Sequence, residues 1–264
     1  MKKGWRAVWS GLLCVCLVFF MPACSKDGAS ETALQGTFQI VTTDDYPPFE
    51  YACADGTVTG MDMELLQAIA DDQGLTIQVT VMGFNTGLQT VAAGQADGMM
   101  AALSVSDKRK LNYDFSDPYY HSGLILAVRQ DNADITDYAA LDQKKVAVQK
   151  STQAELYAQE LRDTYRFGIV AFDTAGQVHD AVLNGECDAC WEEYAVLAGQ
   201  IAMGKNLKTV GSQTVARSQF AFAVAKGTRG DLLKKFNQGL RNIKDNGKYE
   251  EIVNRYVPKE ITVK

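Results

Sequence analysis

Short apolar runs alternate with amphipathic ones along most of the chain. FQIVT (38–42), TIQVTVM (76–82) and DGMMAAL (97–103) have the length and apolar content of strands, and MDMELLQAIADDQG (61–74) and GLQTVAAG (87–94) carry apolar residues at helical spacing. After LILAVR (124–129) the pattern restarts. KVAVQ, GIVAF and CDACW predict strands, separated by helices through Glu155–Arg162 and Val178–Leu183 and followed by one near Leu197–Met203. SQFAFAVAKG (218–227) leads to two final helices, marked by Leu232, Leu233, Phe236, Leu240 and Ile243 and by Tyr249, Ile252, Val253 and Tyr256.

Strands alternating with helices predict an α/β fold, and the restart predicts a second sheet. No fixed-period repeat is present, which excludes a solenoid. With 264 residues, 47% hydrophobic and 22% charged, the chain can build one large core or two modest ones.

The first 23 residues follow another pattern. Lys2, Lys3 and Arg6 precede an uncharged run from Ala7 to Ala23, as in a secretory signal, and the run falls short of the ~20 residues a spanning helix needs. It ends Met21, Pro22, Ala23, Cys24, which resembles the lipobox of bacterial lipoproteins, with Cys24 as the lipidated residue. Two acyl chains there would hold the body stably on the extracytoplasmic face of the cell membrane. Ser25–Gln35 is small and polar and reads as a tether, giving a division into signal (1–23) and tether (24–36) before the folded body.

The formal net charge is −6, and removing the signal takes away three cations and no acid. So acidic a body argues against a nucleic-acid partner. Past Cys24 only Cys53, Cys187 and Cys190 remain, without a histidine nearby, so free thiols are expected and neither a metal site nor a cofactor.

The chemistry concentrates in SVSDKRKLNYDFSDPYYHSG (104–123), which sets Arg109 in the first turn of a short helix behind Ser104 and Ser106. A planar guanidinium offers two parallel donors to a carboxylate, the hydroxyls add more, and the amides of a helix start favour negative charge. That pattern predicts a small acid as ligand.

Taken in order, YPPFEY (46–51) with DGTVTGMDMELLQAIA, GFNTGLQTVAAGQADG, the Arg109 segment, KVAVQKSTQAE, GECDACWEE and FAFAVAKG with LRNIKDNGKYEEIVNRY resemble solute-binding protein family 3, the binding proteins of polar amino acid ABC transporters. The resemblance implies a type II periplasmic-binding-protein fold, with one lobe from 37–126 and 219–264, a second from 127–218, and hinge strands near Ala127–Arg129 and Arg217–Phe220. It further implies a monomer that binds a free polar or cationic amino acid by closing, and passes it to a membrane permease. By position, Tyr46 and Phe84 would stack on the ligand's side chain, Ala102 and Ser104 would meet its α-groups, and Arg109 would clamp the α-carboxylate. Gln149, Thr152 and Gln153 would reach from the second lobe, and Glu193 would face the ammonium. If the strand persists that far, alternation lets only one of Glu192 and Glu193 face the cleft, and register favours Glu193. Ser151 stands where the family has glycine. No catalysis is expected; the alternative is a cyclohexadienyl dehydratase-like enzyme on the same scaffold, using Glu192 or Glu193 as acid.

Overall fold

The computed structural model describes residues 36–257. The signal segment, the lipidation expected at Cys24, the tether up to residue 35 and the tail 258–264 lie outside the described residues.

In chain order the elements are β1 (Thr37–Thr42), β2 (Asp45–Tyr46), β3 (Glu50–Ala52), β4 (Val58–Thr59), α1 (Met61–Gln73), β5 (Thr76–Val81), α2 (Phe84–Ala92), β6 (Gly98–Met99), α3 (Asp107–Lys110), β7 (Tyr113–Phe115) and β8 (Tyr120–Arg129). A 3₁₀ turn at Tyr138–Leu141 precedes β9 (Lys145–Gln149), α4 (Gln153–Tyr165), β10 (Gly168–Phe172), α5 (Ala175–Leu183), β11 (Ala189–Glu193), α6 (Tyr194–Ala202), β12 (Leu207–Phe220), β13 (Ala223–Ala225), α7 (Gly230–Asp245) and α8 (Lys248–Tyr256). None of the described helices is long and apolar enough to cross a membrane.

Two five-stranded sheets form, ordered β5-β1-β6-β13-β7 and β10-β9-β11-β8-β12, with a small antiparallel sheet β2-β3-β4 beside the first. Parallel pairing of β1 with β5 and β6, and of β9 with β10 and β11, follows from the helical crossovers that the alternating pattern predicted.

Local chemistry sets the boundaries. Gly60 opens α1 at φ 127°, where a Cβ would stand 2.2 Å from the Phe49 carbonyl oxygen, so only glycine fits. Thr174 and Gln177 form a reciprocal capping box at the start of α5, and the Thr152 hydroxyl accepts from Glu155 N to start α4.

The first core packs Ile40, Leu65 and Ile69 against Phe222, Phe236 and Leu240, with the two phenylalanine rings stacked at 4.7 Å. The second centres on Trp191, met edge-on by Tyr138 at 5.1 Å and Tyr157 at 5.0 Å.

β8 and β12 carry the chain between the two sheets. They pair antiparallel from Tyr120–Phe220 to Arg129–Leu207, and the Ser104–Phe220 bridge with the Val105 N to Gln219 O bond ties their outer end to the first lobe. Ala127, expected near a hinge, instead pairs with Cys190 on one side and Thr209 on the other, and is fully buried. A backbone bonded on both flanks resists bending. β8 is paired with β12 alone over Tyr120–Gly123 and again at its last residue, Arg129.

All three cysteines among the described residues are free. Cys187 and Cys190 are buried as expected, whereas Cys53, on the small sheet's loop, is only half-buried. Burial pushes the Cys190 thiol well up and disfavours the reactive thiolate.

Candidate functional site

The cleft between the lobes brings together the nine residues expected to meet the ligand. Tyr46, Phe84, Ala102, Ser104 and Arg109 line it from the first lobe, and Gln149, Thr152, Gln153 and Glu193 from the second.

Arg109 sits in the one-turn helix α3, whose cap Ser106 accepts from the Arg109 amide. Its Nη1 donates to the Ser104 carbonyl at 2.6 Å and hydroxyl at 2.7 Å, its Nη2 donates to the Ser151 carbonyl of the other lobe at 2.9 Å, and the guanidinium lies 5.4 Å over the Phe84 ring. Nε–H and the second Nη2 proton keep no protein acceptor among the described residues. These form one edge of the fork, the edge that binds a carboxylate bidentately. Burial draws the arginine down to about 10, so it stays charged at neutral pH.

Ser151 takes a left-handed backbone (φ 63°), the conformation that glycine adopts without steric cost. Its amide is engaged by Glu155 Oε2 at 2.7 Å, so it is the Ser151 carbonyl, not the amide, that faces the first lobe. The Gln149 amide donates to the Asp173 carbonyl, and the Thr152 hydroxyl to the Gln149 carbonyl. These bonds fix the mouth of α4, where Gln153 and Ala154 line the cleft at the helix's positive end.

Glu192 and Glu193 both line the cleft, contrary to the expectation that one would turn away. The strand persists through Glu193, which pairs with Leu124, and the two side chains do take different partners, Glu192 meeting His179 of α5 and Glu193 meeting Ser218 of β12. Both still reach the cleft because it opens at the end of β11. Glu192 Oε1 accepts from the Tyr46 hydroxyl at 2.7 Å and from the Glu193 amide at 2.8 Å, and its Oε2 lies 3.0 Å from His179 Nε2. Glu193 accepts from the Ser218 hydroxyl at 2.8 Å, and burial pushes its carboxyl up to about 7. Asp45 lies against the start of α5, and burial raises its carboxyl. Its Oδ2 is buried without a donor.

Sequence reasoning missed Glu50, His179 and Trp191 as parts of this region. Glu50 lay inside the YPPFEY segment and had a local signal. His179 had none, since nothing in the pattern joins α5 to position 192.

Two α/β lobes joined by paired strands around a cleft that holds a guanidinium on one wall and a carboxyl on the other define a ligand-binding protein of the type II periplasmic fold. The chain belongs to the bacterial extracellular solute-binding proteins, family 3, whose family profile matches residues 38–259. It is 26% identical over 245 residues to the arginine-binding extracellular protein ArtP of Bacillus subtilis, covering 93% of this chain and 95% of that one. Among solved structures it resembles an ancestral arginine-binding protein bound to arginine, with TM-score 0.78, 27% identity, and coverage of 84% of this chain and 98% of the other. An ancestral amino acid-binding protein described as a precursor of cyclohexadienyl dehydratase is similar at TM-score 0.75 and 28% identity, covering 84% and 95%.

Proposed function

We propose that this protein is the extracytoplasmic receptor of an amino acid ABC transporter, binding a free polar or cationic amino acid in the cleft and delivering it to the permease. The observation that carries the reading is the free carboxylate-binding edge of Arg109 in a cleft whose opposite wall holds Glu193. A zwitterion loses the hydration of two charges on entering, and this pair replaces both shells. The unpartnered Asp45 Oδ2 is the acceptor left for a cationic side chain.

Lipid attachment at Cys24, a monomeric state and closure by rotation about Tyr120–Gly123 and the facing part of β12 belong to the same proposal. Ligand bridging the lobes favours the closed form by its differential affinity. Calorimetric titration with arginine, lysine, histidine, glutamine and cystine tests it: one of these binds, or the reading fails.

A second reading draws on the Glu193 carboxyl near 7 and the dehydratase precursor among similar structures: a proton-donating enzyme on this scaffold. Incubation with prephenate or arogenate decides it by the appearance of aromatic product. We favour binding without catalysis.

A further inference from the structure

Two acids lie side by side in the first-lobe wall of the cleft. Glu50, in β3, is 1% exposed, and Asp62, the second residue of α1, is 0% exposed. One oxygen of each has ordinary donors. The Thr43 hydroxyl reaches Glu50 Oε1 at 3.0 Å, and the Ala102 amide and Tyr119 hydroxyl reach Asp62 Oδ2 at 2.8 and 2.6 Å. The other oxygen of each, Glu50 Oε2 and Asp62 Oδ1, is buried and meets no donor among the described residues. The backbone sets the two carboxyl groups side by side, the Asp62 amide donating to the Phe49 carbonyl next to Glu50 at 2.8 Å, and the charge on Asp62 adds to burial in pushing the Glu50 carboxyl up.

Two adjacent carboxylates in a buried site free of cations resist ionising together, and one proton held between them would satisfy both orphan oxygens at once. The groups facing the pair from neighbouring elements are Asp45 and Tyr46 on β2 and Tyr119 ahead of β8, none of them a cation. Nothing there offsets a second negative charge. Asp62 already receives an amide and a phenol on its other oxygen, which favours charge on Asp62, so the proton rests on Glu50.

We propose that Glu50 is a neutral carboxylic acid at physiological pH, donating to Asp62, and that this shared proton positions the Ala102 segment of the ligand cleft. Ala102 holds a left-handed backbone (φ 42°) that a residue with a Cβ adopts only under constraint, and the bond from its amide to Asp62 supplies one. Glu50 and Ala102 both line the cleft, so the acid pair couples the β3 arm, the start of α1 and the Ala102 loop into one wall. Glu50 and Asp62 are thus positioning residues.

The effect on ligand rests on the amino acid receptor reading, whereas the proton does not. Infrared spectroscopy of the full chain at about pH 8, above the range in which Glu193 ionises, should show the C=O stretch of a protonated acid that Glu50→Gln removes. No such band, or one that survives Glu50→Gln, overturns the shared proton whether or not any amino acid binds. In calorimetry with L-arginine, Glu50→Gln keeps a donor towards Asp62 and should bind about tenfold more tightly than Glu50→Ala, which leaves that acceptor bare. Equal affinities of the two variants overturn the positioning role. A band that behaves as expected in a protein that binds none of the amino acids tested counts against the receptor reading alone.

Discussion

The Tyr46 hydroxyl donates to Glu192 Oε1 at 2.7 Å, joining residues 146 positions apart and spanning the cleft from one lobe to the other. Tyr46 sits on the β2 arm of the first lobe, and Glu192 is held in place from behind by His179 and by the Glu193 amide. The aromatic ring expected to pack on a ligand is therefore oriented by an acid of the opposite lobe.

Tyr46→Phe keeps the ring and deletes that bond. A hydrogen bond to a charged group is worth about 1.5 to 3 kcal/mol, so the affinity for the amino acid should fall by about tenfold or more. Calorimetry of the two proteins side by side checks it, and equal affinity would mean that the bond contributes nothing to closure on ligand.

Arg109→Ala leaves a desolvated carboxylate without its partner and releases Ser104 and Ser151 from theirs. The expected cost is ~3 to 5 kcal/mol, or about two to four decades in affinity. Unchanged binding would remove Arg109 from the site.

The Glu193 carboxyl is pushed from 4.5 up to about 7 by burial, which gives two linked outcomes. Only the ionised form pairs with an ammonium, so affinity should weaken as pH falls below about 7, and binding near neutrality should release a proton. In the free protein the folded state holds a proton that the unfolded state has already lost between these two values. Stability contributed by the neutral acid is therefore full below 4.5 and lost as pH rises through about 7. Thermal melts of ligand-free protein should drop across that window, and Glu193→Gln should flatten the drop. Titrations in buffers of different ionisation enthalpy read the proton release.

Gly60→Ala drives a Cβ to 2.2 Å from the Phe49 carbonyl at a backbone angle side chains rarely adopt. Backbone must move, and the start of α1 with it, so a loss of about 2 to 3 kcal/mol is expected in denaturant unfolding. A variant as stable as the wild type would show that this turn can relax without consequence.

The elements with a clear period were legible from sequence. KVAVQ is β9 residue for residue, and the apolar spacing of 61–74 marks α1. Arg109 announced itself by the hydroxyls and the helix start around it. What stayed hidden depends on where strands end and which elements meet. Glu192 and Glu193 share the cleft because it opens at the end of β11, where both faces of the strand border it, and that depends on which elements surround the strand end. His179 touches Glu192 only once α5 is laid on the second sheet, and Asp62 finds Glu50 only once α1 turns back on the β3 arm. That Ala127 is flanked by two strands was hidden too, because an apolar strand looks the same in sequence whether one neighbour or two flank it.

The most direct test is a crystal structure of the protein with the tightest-binding amino acid from the calorimetric panel. The α-carboxylate is expected on Arg109 Nε and Nη2 and the ammonium against Glu193, with both lobes in contact with the ligand. A guanidinium turned to bulk solvent, or an amino acid bound away from the cleft, would contradict this arrangement.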